Sequence, residues 1–498
     1  MTPVHIPFHV KLWLWWATGS LILTGCLSAE SAMGQASDEA LKNQALAAPQ
    51  ITYSPQPTRP IFSPGELVDY TAQPGDTLPA LAAHFNTTVR EIRQANPFIP
   101  EDATTMPPGM PMKIPIYYQA LWGSAYQIIP DAHFVNGPSA IGFDTAGFVA
   151  SHSGWLKNYS SYIAGRNRSG AEMVDFVATY YSISPRLLLA LLEYQLGALS
   201  EAQPPVDLSA YPLGEHSTAL QGLYRQLTWA ANALNNGFYG WRTGELKEIT
   251  LTDGRLERPD PWQNAATVAL HYYFSLHLSP ADYERAIAPE GLAATFSQLF
   301  GDPWTASPHI PGSLRQPPMQ LPFEVGKIWA FTGGPHNPWG EGAPLAALDF
   351  APPSVVGGCT STEEFATAVA DGVIARTDTG IAVLDLDGDG DERTGWVVFY
   401  LHLSARDLIP QGSIVSAGQP LGHPSCEGGT ATGTHVHIAR KYNGEWILAD
   451  GLLAFNLEGW VARNGSAPYL GTLTRQGKLV RACVCSDQSA QLQSLPQR

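Results

Sequence analysis

Hydrophobic positions along the chain change their period twice, and each change marks a different kind of structure. Val68-Asp69-Tyr70-Thr71-Ala72 reads as a short strand, and Pro74-Gly75-Asp76-Thr77 as a turn with a helix N-cap. Leu78, Leu81, Ala82 and Phe85 then recur at helical spacing. A second helix from about Val89 to Ala95 carries Ile92, and Pro108-Gly109 precedes a closing strand ending at Ile114-Pro115. The spacing predicts a βααβ unit. From about Trp122 to Trp304 the period is helical and aromatic-rich, with helices over Ala171 to Tyr181, Pro185 to Leu199, His216 to Gly237 and Pro261 to Leu278. A Pro- and Ser-rich stretch from Pro303 to Pro322 ends this region. Beyond it, Gly372 to Arg376, Gly380 to Leu386 and Gly395 to Leu403 read as strands. Asn443-Gly444 is a type I′ hairpin signal between Val436–Tyr442 and Glu445–Leu448.

Length and termini refine this picture. A chain of 498 residues is too long for one ordinary core. Lys11, the apolar run from Leu12 to Leu23 and then Leu23-Thr24-Gly25-Cys26 resemble an export signal ending in a bacterial lipobox, in which Cys26 is lipidated. That apolar run is short for a transmembrane helix. The expectation is an exported lipoprotein held to the membrane through a lipid anchor. The chain from about Ser28 to Pro64 is Ala-, Ser-, Gln- and Pro-rich and reads as a tether. With 44 acidic against 28 basic residues, the charge balance argues against nucleic acid as a partner. Cys359, Cys426, Cys483 and Cys485 remain after Cys26, an even number suited to an oxidising compartment. They allow three connectivities, and pairing Cys359 with Cys426 leaves Cys483 and Cys485 to close a small ring.

The first folded unit resembles a LysM domain. Gln73-Pro74-Gly75-Asp76-Thr77-Leu78, Ala95-Asn96-Pro97 and Pro108-Gly109…Ile114-Pro115 stand in that family's order. The resemblance implies binding to N-acetylglucosamine-containing glycans such as peptidoglycan. In the helical region, Arg186 to Gly197 faintly resembles the helix carrying the catalytic acid of lysozyme-like lytic transglycosylases. Gln195 stands where the acid belongs, and Gln has no proton to give a glycosidic oxygen. Glu193 lies about 200° further round the helix. A non-catalytic spacer or glycan-binding domain is the expectation for this region.

The candidate chemistry lies in the last region. Its marks are Gly333-Gly334-Pro335-His336, then Ala347-Leu348-Asp349-Phe350, Tyr400-Leu401-His402-Leu403-Ser404 and Gly433-Thr434-His435-Val436-His437. In a strand, His435 and His437 point the same way. Catalytic zinc prefers three His or carboxylate ligands and an open position for water. His336, Asp349 and His437 would supply that set, leaving His402 and His435 as acid/base groups flanking the open position. These stretches, with Cys426-Glu427-Gly428-Gly429 and Tyr442-Asn443-Gly444, resemble the lysostaphin-type (LytM-like) zinc endopeptidases and, within them, the β-lytic, staphylolysin-like branch. The usual family His, four residues before the Asp, is Leu345 here, and in the β-lytic branch a His further upstream, at the place of His336, serves instead. The resemblance implies a cell-wall peptidase on a small antiparallel β-core. Asp385, Asp387 and Asp389 also match the first half of an EF-hand loop, but Trp396 stands where the bidentate Glu belongs. Calcium binding and a solvated acidic turn remain open for that loop.

The expected organisation is therefore multidomain. A signal peptide (1–25) and tether (26–64) precede a LysM domain (65–117), a mostly α-helical middle domain (122–304), an antiparallel all-β zinc peptidase domain (320–485) and a tail (486–498).

Overall fold

The βααβ unit forms as its pattern predicts. In the computed structural model, which describes residues 62–204, 210–354, 356–485 and 487–496, strand β1 (Glu66–Thr71) runs antiparallel to β2 (Pro111–Ile116). The lipobox, Cys26 and nearly all of the tether lie outside the described residues. Helix α1 (Leu78–His84) starts at Thr77, whose hydroxyl caps Ala80 N–H. Helix α2 (Val89–Ala95) starts with a capping box between Thr88 and Glu91. The buried Asn96 closes the unit, donating from Nδ2 to Ile92 O and Lys113 O and accepting from Lys113 N–H at 2.9 Å.

The middle domain is helical: α3 (Thr145–Ala150), α4 (Gly170–Tyr181), α5 (Pro185–Leu196), α6 (Leu223–Thr243), α7 (Ala265–Ser275), α8 (Pro280–Ile287) and α9 (Ala294–Phe300). Helix α6 differs from the expected His216 to Gly237 at both ends. It starts only after Gly222, whose φ of 93° is not helical, and runs on to a left-handed cap at Gly244. Gly237 does not end it because α7 packs there, with Ala269 where a side chain at 237 would stand.

The C-terminal domain is built on a sheet of antiparallel strands: β3 (Ile328–His336), β4 (Ala347–Ala351), β5 (Gly372–Asp378), β6 (Ile381–Asp385), β7 (Trp396–Leu401), β8 (Ile414–Val415), β9 (Val436–Tyr442), β10 (Glu445–Ile447) and β11 (Gln491–Gln493). Their spatial order is β8-β5-β6-β7-β9-β4-β3-β11, and β10 pairs with β9 through the Asn443-Gly444 hairpin. Strand β11 pairs with Ile328–Ala330, so the sheet draws in chain beyond residue 485, where the sequence suggested only a tail. The disulfides are Cys359–Cys426 and Cys483–Cys485.

Each face of this sheet has its own core. Leu348, Phe350, Leu384, Val398, Tyr400 and Ile438 pack with Phe323, Phe455 and Leu473 on one side. Val383, Val397, Phe399, Leu401 and Ala439 belong to the core of the helical domain on the other. Cross-strand partners point to the same face, and Leu401 is opposite His437. The helical domain therefore packs on the face that carries His437. The linker after it is stitched to the LysM unit, with Thr104 and Thr105 donating their hydroxyls to Leu314 O and Pro311 O.

Candidate active site

Strand register brings the proposed ligands together. His437 of β9 is directly opposite Asp349 of β4, and Asp349 is opposite Gly333 of β3. Two irregularities in the β3–β4 pairing, on either side of Gly333, let β3 return His336 to the same spot. His336 Nε2 lies 2.9 Å from Asp349 Oδ2, and His437 Nδ1 lies 3.2 Å from Asp349 Oδ1. All three residues are buried, and their ligand atoms lie within 4.8 Å of one another. Both nitrogens of His336 and Oδ1 of Asp349 are buried without a hydrogen-bond partner. Buried polar atoms are ordinarily satisfied, so the open imidazole of His336 and the open carboxylate oxygen of Asp349, with His437 beside them, fit a cation.

His402 and His435 stand beside this cluster, their rings 4.6 Å apart. A strand continuing through residue 402 would turn its side chain to the Tyr400 face. The φ of His402 is instead 66°, a left-handed value that brings the ring back towards His435. His402 Nδ1 faces Glu427 O at 2.9 Å and His435 Nδ1 faces Gly433 O at 2.7 Å. A carbonyl only accepts, so each Nδ1 carries the proton and each Nε2 presents a lone pair.

Charge separates the roles. Burial opposes ionisation of Asp349, but the His336 and His437 rings beside it outweigh that and hold this carboxyl well below the usual range. Burial pushes His437 down, with the Asp349 carboxylate beside it opposing. Burial and the neighbouring His435 push His402 down to about 4, which keeps it neutral at pH 7.

The LysM domain family matches residues 70–115, and the family described as "LasA, N-terminal domain" matches residues 127–313. Protease LasA of Pseudomonas aeruginosa is 27% identical over 340 residues, covering 64% of this chain and 75% of its own, in each of two strains. The chain is a zinc metallopeptidase that resembles the LytM-like peptidases and carries a match to the LysM domain family. Two solved structures are also similar. They are the M23 metalloprotease pseudoalterin from the deep sea (26% identity, 34% of this chain and 96% of that one, TM-score 0.29) and a zinc-containing peptidase from Vibrio cholerae (21%, 28% and 40%, TM-score 0.20).

The peptidase has one residue at its centre that the sequence did not reveal. Tyr469, in the loop before the strand Thr472–Arg475, stacks on His336 with ring centroids 4.0 Å apart and planes 18° apart. Its N–H donates to Pro335 O, and its own φ is 70°. No periodicity or spacing in Ser466-Ala467-Pro468-Tyr469 signals this. Aromatic stacking of this kind contributes about 0.5–1.5 kcal/mol. Tyr469→Ala is therefore expected to weaken zinc binding by roughly 3- to 10-fold in a chelator competition, and Tyr469→Phe to leave it unchanged. Equal weakening in both variants would place the effect in the hydroxyl instead.

The remaining candidates fall outside this centre. Asp385, Asp387 and Asp389 do come together, yet their loop satisfies its own carboxylates. Asp385 accepts from Asp387 N–H and Gly390 N–H, and Asp389 accepts from Asp391 N–H and the Thr394 hydroxyl. Burial and the Asp387 carboxyl raise Asp385 to about 6. These bonds tie the turn together, and nothing beyond the cluster itself supports calcium there. In the helical domain, Gln195 accepts from Tyr273 Oη at 2.7 Å and pairs through Nε2 with His277. Glu193 ties down the chain just after α5 by accepting from Leu199 and Ser200 N–H. Both side chains are thus engaged in holding local structure.

Proposed function

We propose that the protein is an exported cell-wall endopeptidase that holds peptidoglycan glycan through its LysM unit and hydrolyses the cross-link peptides. Export and a membrane tether through a lipidated Cys26 belong to the same reading and rest on the sequence of residues 11–26. The observation that carries the catalytic part is the convergence of His336, Asp349 and His437 beside two imidazoles whose Nε2 lone pairs are free. A weak glycan site on the same chain raises the local concentration of scissile peptide.

His336, Asp349 and His437 would hold the metal. Bound zinc supplies Lewis acidity to a water and to the scissile carbonyl. The chain supplies the rest. One of His402 and His435 accepts the proton of the water at Nε2, and the other steadies the developing oxyanion or returns a proton to the leaving amine. His402, neutral at pH 7, suits the accepting role. Asp349, ionised well below its usual range, balances charge without competing for that proton.

The test is digestion of purified peptidoglycan by the zinc-loaded chain, with products identified by mass spectrometry. Because the helical domain packs on the site-bearing face, the same assay is run before and after limited proteolysis. New amino termini from peptide cross-links, lost on chelation and restored by zinc, are the expected result. Reducing or anhydro sugar ends from zinc-free protein would reassign the activity to the helical domain. Absence of stoichiometric zinc would favour a binding protein that activates another hydrolase.

A further inference from the structure

The loop from Asn337 to Ala343 leaves the peptidase sheet between β3 and β4 and touches both the metal ligands and the helical domain. At its near end, Pro338 O accepts from His437 Nε2 at 3.1 Å. The other nitrogen of that ring, Nδ1, faces Asp349, so the Pro338 carbonyl fixes the tautomer and tilt of the ring. The next residue, Trp339, lies between Tyr180 of α4 (4.5 Å) and Phe399 of β7 (6.1 Å). At the far end, Glu341 N–H donates to Asn232 Oδ1 at 2.9 Å and Ala343 N–H to Asn236 Oδ1 at 2.7 Å. Asn232 and Asn236 are one turn apart on α6 and face the loop together. The loop is cut to fit that helix. Gly340 and Gly342 have φ of 71° and 86°, and a Cβ at either would strike Asn232 and the Tyr181 ring or Asn236.

We propose that Asn232 and Asn236 of the helical domain are positioning residues of the metal centre, acting through this loop on His437. The inference rests on the zinc reading above and adds a dependence that the ligands alone do not carry. Partners that orient a ligating His typically account for about 10- to 100-fold in metal affinity.

The experiment measures zinc release from the full-length chain into a chromogenic chelator. The double variant Asn232→Leu/Asn236→Leu is expected to release zinc roughly 10-fold faster than wild type or more. Asn236→Asp keeps an oxygen acceptor for Ala343 N–H and is expected to release at close to the wild-type rate. Gly342→Ala, which pushes the loop away while leaving α6 untouched, is expected to release faster, and it decides the matter if the double variant does not fold. Melting of the metal-free proteins separates this effect from general destabilisation. Wild-type release rates in both the double variant and Gly342→Ala would overturn the inference. A wild-type protein that never holds stoichiometric zinc would instead remove the zinc reading beneath it.

Discussion

His437→Ala is expected to lose stoichiometric zinc and all peptide cleavage together, while His435→Ala and His402→Ala keep the metal and lose only turnover. The geometry separates them. His437 Nδ1 and His336 Nε2 both converge on the carboxylate of Asp349, so removing His437 leaves only two of the three ligand residues. His435 Nε2 is 3.8 Å from Asp349 Oδ1, and its ring lies against His402 rather than against the ligand cluster. A positioned acid or base contributes roughly 10²- to 10⁴-fold, and that is the fall in kcat expected for either flanking variant. Metal analysis and product formation on one preparation of each protein check this. Zinc retained by His437→Ala, or full activity in His435→Ala and His402→Ala, would remove the assignment.

Arg242→Ala is expected to cost about 3–5 kcal/mol, because it strips the shared cation from a buried network. Arg242 ends α6 and grips Glu445 of β10 with two hydrogen bonds of 3.0 Å. It also pairs with Asp131 at 3.1 Å and donates to Pro74 O in the LysM unit at 2.6 Å. His309 of the linker adds a contact to Glu445 at 2.7 Å. The side chains of Arg242, Glu445 and Asp131 are all less than a tenth exposed. The pH dependence has a definite sign. Burial opposes ionisation of Glu445, but Arg242 and His309 hold its folded pKa below the ordinary value. Its contribution is thus complete above the unfolded pKa of about 4.3 and fades as pH falls through the folded value. Without Arg242, Glu445 and Asp131 are left buried as anions, and acid relieves them by protonation. The gap in melting temperature between wild type and Arg242→Ala should therefore narrow from pH 7 towards pH 4. A gap independent of pH would show that lost packing, not lost charge, destabilises the variant.

Much of this was legible in the chain, for reasons that differ by element. The LysM unit was readable because its core positions, caps and turns are local, and Leu78, Leu81, Phe85 and Ile92 are all fully buried, as their spacing required. His435 and His437 were readable from strand alternation. His336 was not, since its place depends on two breaks in the β3–β4 pairing that no periodicity encodes, and only the family resemblance pointed to it. Tyr469 reaches the site across more than 130 residues of sequence and left no mark at all. The helical domain showed its helices but not its purpose in the architecture. Val397, Phe399 and Leu401 are apolar whether they face a helix or a second sheet, so composition could not reveal which partner covers them.

The short strand Gln491–Gln493 has a consequence for the solution behaviour of the C-terminal domain. It occupies the hydrogen-bonding groups of Ile328–Ala330 at the rim of the sheet, and β3, which it covers, leads directly to His336. A fragment ending at residue 485 would bare that rim as a flat, partly apolar edge with Ile328 and Trp329 on it, the kind of surface on which strands of separate molecules join. Residues 491–493 thus act as a seal against self-association, laid along the strand that carries the proposed ligand His336.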